Sequence, residues 1–150
     1  MKEPMIFGRL DNGDIASRFV LENRNGMRIE VSDFGALVLS IVLKDKNGVL
    51  KDVVLGFENL EDYFQTDTGM GAYVGRNANR IKNASLYIKG IKYTLESNDG
   101  NNNLHSGFVR SHCKMYDARC GKSREGKYVE LRRLSPKYEQ GFPGDRKSVV

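Results

Sequence analysis

The 150-residue chain is long enough for one domain with a real core, and its 39% hydrophobic and 29% charged residues are ordinary for a soluble globular protein. Its formal charge of +5 comes from Lys and Arg spread among Asp and Glu, which reads as a solvated mixed surface and argues against a nucleic-acid partner. No stretch approaches the ~20 apolar residues of a membrane helix, and Met1 to Leu10 has no apolar run of a secretion signal, so a cytoplasmic protein with no membrane partner is expected.

Taken in chain order, the segments read as strand after strand. Arg18 to Glu22 and Met27 to Val31 are rich in β-formers and flank Asn25-Gly26, a dipeptide suited to a tight hairpin turn. Ala36 to Leu43 is a nearly continuous apolar run whose β-branched content predicts a strand buried on both faces. Lys46-Asn47-Gly48 turns the chain into a further strand over Val49 to Leu55. Asn59 to Gln65 reads as one short helical turn. Leu86 to Ile88 and Lys92 to Leu95 form a second hairpin around Lys89-Gly90, and Val129 to Leu134 is a strand that pairs with Met115 to Arg119. No apolar period of 3.6 persists long enough for a substantial helix. The expected fold class is all-β, part of an antiparallel sandwich.

Two irregular segments interrupt the strands, Gln65 to Lys82 and Glu96 to His112. Loops of that length usually carry function. The first holds Gly75-Arg76-Asn77-Ala78-Asn79-Arg80, and the second runs from Asn98 through Asn103 to Leu104-His105. Amides that donate and accept, a planar guanidinium and an imidazole suit an uncharged polyhydroxylated ligand. Each group has an ordinary explanation when taken singly: Asn and Gly make turns, Arg76 and Arg80 serve as surface charges, and a lone His105 is commonly structural. Other chemistries fit less well. His112 beside Cys113 lacks the convergent ligands of a metal site, and Cys113 and Cys120 read as free thiols. Gly69 to Gly75 is one residue too long for a dinucleotide fingerprint, so neither a metal nor an organic cofactor is expected.

Several motifs together carry a resemblance. Gly75-Arg76-Asn77-Ala78-Asn79-Arg80-Ile81 is similar to the GRxANRI motif of aldose 1-epimerases, and Asn102-Asn103-Leu104-His105-Ser106-Gly107 to their N-x-LHGG motif. Phe34-Gly35-Ala36, Asp45 to Gly48, and Asp52 to Phe57 follow the family order upstream. Ser135-Pro136 and Glu139 to Gly144 resemble its SPdgeeGFPG segment downstream. Ser106 stands where the family usually has Gly, and Tyr116 where it commonly has Trp.

The resemblance implies an antiparallel β-supersandwich, here truncated, and interconversion of the α and β anomers of free hexoses. It also implies that Asn79, Arg80 and His105 bind the sugar, with Arg80 and His105 in supporting catalytic roles. The family's acid His and base Glu lie further downstream. The partner implied is a small-molecule hexose. Two alternatives are a non-catalytic carbohydrate-binding β module and a hexose-6-phosphate 1-epimerase relative. Residues 1–144 are expected to be the N-terminal part of a single domain. Residues 145–150 match the translation of a common sequencing-adapter oligonucleotide and are expected to be a non-native tail.

Overall fold

A computed structural model describes residues 3–66 and 68–150. The regular structure of the described residues is antiparallel β apart from one six-residue α-helix and three short 3-10 turns. Strands β1 (Met5–Arg9), β2 (Ile15–Glu22), β3 (Arg28–Ser32), β4 (Val38–Lys44) and β5 (Leu50–Asp52) form a five-stranded meander in sequence order. Helix α1 (Leu60–Gln65) follows. A two-residue ribbon pairs β6 (Arg80–Ile81) with β9 (Asn103–Leu104), and a hairpin pairs β7 (Ser85–Ile88) with β8 (Ile91–Thr94). Strands β10 (Asp117–Lys122), β11 (Lys127–Ser135) and β12 (Arg146–Val149) make a three-stranded sheet.

Local chemistry accounts for most of these elements. Lys89 and Gly90 both adopt positive φ, 49° and 79°, as a two-residue turn of this hand requires. The Asn25-Gly26 turn is less tight than the dipeptide implies. Asn23 Oδ1 accepts the Asn25 and Met27 N–H groups, so the loop is organised from the residue before the turn. The apolar run at Ala36 also departs from a continuous strand. Gly35 and Ala36 take positive φ, so β4 starts only at Val38. Burial on both faces is confined to Leu39 and Ser40 and fades beyond them. Strand β5 is only three residues long: the Val53 N–H makes the last bond to β4, at Ile41 O, and the chain then leaves the sheet with Leu55 largely exposed.

Among the described residues the core is split into three apolar clusters. The first joins Phe34, Leu37, Leu39, Leu60 and Tyr63, packing α1 on the meander. In the second, Ala36 and Tyr116 meet Leu131 of β11, which lies against β2. The third, under the β7–β8 hairpin, gathers Ala84, Leu95 and Phe142.

The corner from Asp33 to Val38 joins distant segments to the meander. Gly35 N–H donates to Lys114 O at 2.7 Å, Tyr116 N–H to Asp33 O at 2.8 Å, and Val38 N–H to Gly71 O at 2.8 Å. Gly71 has φ +67°, and a Cβ there would sit 2.2 Å from Val38 O. The Gly71→Ala change is therefore expected to cost about 3 kcal/mol, from left-handed strain and a backbone clash that cannot relax by a rotamer change. Urea denaturation followed by circular dichroism checks this. An unchanged midpoint would show that the corner yields.

Candidate functional site

The β6–β9 ribbon is short because its work is local: it brings the two irregular segments side by side. Arg80 pairs with Leu104, and the residues just outside the ladder, Asn79 and His105, face each other. Both have left-handed backbones, φ 61° for Asn79 and 51° for His105, and they are bonded twice. His105 N–H donates to Asn79 O at 3.1 Å, and Asn79 N–H donates to the His105 Nδ1 at 3.1 Å. Arg80 Nε donates to Asp99 Oδ2 at 2.7 Å, while an Arg80 terminal nitrogen lies 3.4 Å from Asn79 Oδ1. Asp99, Arg80, Asn79 and His105 thus form one contiguous polar chain. Contact with the Arg80 guanidinium holds the Asp99 carboxyl below the usual carboxylate range and pushes Arg80 upward.

His105 is half-buried, whereas Asn79 and Arg80 are exposed. The imidazole lines a cavity of about 230 Å³ together with Thr68, Gly69, Tyr73, Arg110 and His112. Neither Asn79 nor Arg80 is among the residues lining it, so they stand outside this cavity. A larger groove of about 920 Å³ lies between β1 and α1, with Phe7, Leu10, Leu60 and Phe64 among its walls. None of Asn79, Arg80 and His105 lines that groove, so convergent polar chemistry rather than size marks the candidate site.

Arg76 and Arg80, four residues apart in one motif, have different roles. The Arg76 guanidinium donates to Ser135 Oγ at 2.8 Å, to Ser135 O at 3.0 Å, to Gly144 O at 2.7 Å, and to Pro136 O. It therefore ties the first irregular segment to the end of β11 and the turn beyond it. Burial pulls the Arg76 guanidinium down, opposed in part by the Glu139 carboxylate. Glu139 is bonded to Arg133 and Ser135. Its burial pushes the carboxyl up, but those two partners outweigh it and hold it below the usual range.

His112, which the sequence offers only as an incomplete metal ligand beside Cys113, shares a cavity with His105. Its ring sits 3.6 Å from where a Gly69 Cβ would be. The only sequence signal for it was its position at the end of the second irregular segment.

Comparison with known proteins gives a consistent result. A family model described as aldose 1-epimerase matches residues 17–150. The chain is 35% identical over 146 residues to a galactose mutarotase from Bos taurus, covering 97% of this chain and 41% of that protein. It is 33% identical over 142 residues to an aldose 1-epimerase from Streptococcus thermophilus, covering 93% and 40%. Among solved structures, a galactose 1-epimerase from Lactobacillus acidophilus NCFM superposes with a TM-score of 0.84 at 27% identity, covering 97% of this chain and 42% of that one. An aldose epimerase homologue from C. elegans gives 0.80 at 30% identity, covering 90% and 41%. The chain thus spans about two-fifths of the length of these relatives.

Proposed function

The chain belongs to the aldose 1-epimerase family, and from that membership we propose that it supplies one wall of a hexose site in an enzyme interconverting α and β anomers. The observation that supports this reading is the bonded Asn79–His105 pair, which joins the two family motifs at the edge of a cavity that His105 lines, with Arg80 next to the pair.

The reaction requires one group to take the proton from the anomeric hydroxyl and another to protonate the ring oxygen. The C1–O5 bond then breaks, the C1 carbonyl forms, and rotation before reclosure delivers the other anomer. His105 accepts at Nδ1 from Asn79, so in its neutral form the ring hydrogen lies on Nε2. From there it donates to a sugar oxygen. Arg80 and this N–H stabilise negative charge developing on oxygen during opening. They assist a proton-transfer pair, and by the family resemblance that pair is a second His and a Glu further along. The 150-residue chain by itself is then a binder rather than a catalyst. In this reading residues 1–144 are the N-terminal part of the domain and 145–150 a non-native tail, against which stand the family match that runs to residue 150 and the pairing of β12 with β11; the genomic sequence past codon 144 decides that point.

Binding is the direct test. Saturation-transfer NMR with D-galactose and D-glucose is expected to show weak association, with Kd on the order of 1 mM. His105→Ala should weaken it at least about tenfold, since a hydrogen bond to a partly buried polar group is lost. Binding indifferent to both His105→Ala and Arg80→Ala would remove the site from this wall.

A further inference from the structure

His105 belongs to three successive residues with positive φ: His105 at 51°, Ser106 at 74° and Gly107 at 126°. For the first two a left-handed backbone is unfavourable, so the turn persists only because its surroundings hold it. Across the turn the Gly107 N–H donates to Leu104 O at 3.1 Å, and side chains add to this. Asn98 Oδ1 accepts the Leu104 N–H at 2.7 Å, and Asn98 Nδ2 donates to Leu104 O and to Gly107 O, both at 2.9 Å. One side-chain amide therefore closes the turn from both ends, with His105 between the anchored residues. On the other side, the Ser106 hydroxyl accepts the Asn77 N–H at 2.7 Å and donates to Asn77 O at 3.2 Å. Glu96 Oε2 accepts the Phe108 N–H at 2.8 Å just beyond.

We propose that Asn98 is a positioning residue for His105: its amide closes the turn that seats the imidazole Nδ1 on the Asn79 N–H, so that His105 meets the sugar as a fixed Nε2–H donor. This rests on the reading that His105 faces a hexose, and it goes further by naming what fixes the ring and which nitrogen carries the hydrogen. An amide is required at position 98, because the three bonds need one acceptor and two donors on a single short planar group. A carboxylate would keep the Leu104 N–H bond, lose both donations, and set its second oxygen against two carbonyl oxygens. The Arg80–Asp99 side-chain pair next to it supplies none of these bonds: Arg80 meets Leu104 through its backbone and reaches only as far as Asn79 with its guanidinium. Exchange within the pair should leave the imidazole alone.

The test reads the ring directly by long-range ¹H–¹⁵N correlation of uniformly labelled chain, at a pH where the imidazole is neutral. In the wild type, His105 should show a bare Nδ1 and a protonated Nε2, with a through-hydrogen-bond coupling between the Asn79 amide nitrogen and Nδ1. Asn98→Ala should abolish the coupling and replace the single tautomer with an averaged pattern. Asp99→Asn should retain both signatures. A wild-type ring protonated at Nδ1, or lacking the coupling, overturns the proposal without any variant. An unaltered His105 pattern in Asn98→Ala overturns the role of Asn98, and Asn98→Asp decides the same point if the alanine variant does not fold. Galactose that leaves His105 signals unshifted tells against the hexose reading alone, because tautomer and coupling are measured without sugar.

Discussion

Freshly dissolved α-D-galactose mixed with the 150-residue chain is expected to mutarotate at its spontaneous rate, whatever the protein concentration. The reason lies in the two protons that must move. One leaves the anomeric hydroxyl and one arrives at the ring oxygen, and each positioned acid or base contributes ~10²–10⁴ in rate. His105 lines the cavity with its Nδ1 accepting from the Asn79 N–H and is proposed to meet the sugar as a donor, while Arg80 stays protonated beside Asp99. The carboxylates nearest the two motifs are also committed. Asp99 is paired with Arg80, and Glu96 accepts the Phe108 N–H. With neither proton-transfer group supplied by these residues, little acceleration is left to exceed the reaction in water. Polarimetry decides the matter. A rate that rises in proportion to protein and falls to background in His105→Ala would show this wall to be catalytically sufficient.

Replacing Arg76 by Ala is expected to lower stability by about 3 kcal/mol, with no comparable loss in Arg80→Ala. Arg76 spends its guanidinium on the Ser135 hydroxyl and on the Ser135, Pro136 and Gly144 carbonyls, and its charge lies over the Phe142 ring at 5.8 Å. Hydrogen bonds to a charged group contribute ~1.5–3 kcal/mol each, less when they share one donor group, and truncation strands acceptors that water reaches poorly. Arg76→Lys should recover little, since a point charge cannot reproduce a planar fork. Arg80 makes its ion pair in solvent, where the attraction is screened and offset by side-chain entropy. Its loss should scarcely move the midpoint. Urea titrations of the three variants test the contrast, and equal midpoints for Arg76→Ala and Arg80→Ala would refute it.

That contrast marks what could be read from the chain alone. Turn chemistry and β-branched runs located most strands, because those signals act within a few residues. The joint order of several motifs pointed to the family, and the matching family model bears this out. Strands β6 and β9 were not legible, since two residues have no periodicity and pair only because distant segments converge. The same holds for His112, whose place beside His105 depends on the corner that binds Gly35 to Lys114. Arg76 and Arg80 are equivalent in sequence. Only the partners beyond residue 130 distinguish them.

The left-handed backbone at His105 also bears on how such a chain ages. Glycine or asparagine would occupy that φ more comfortably, and the gain would be on the order of 1 kcal/mol. An imidazole there carries a conformational cost, which its bond to the Asn79 N–H offsets only in part. A lineage that stopped handling the ligand would drift first at this position, growing slightly more robust as it lost its purpose. On the proposed role of His105, the identity of residue 105 across descendants records whether the site is still in service.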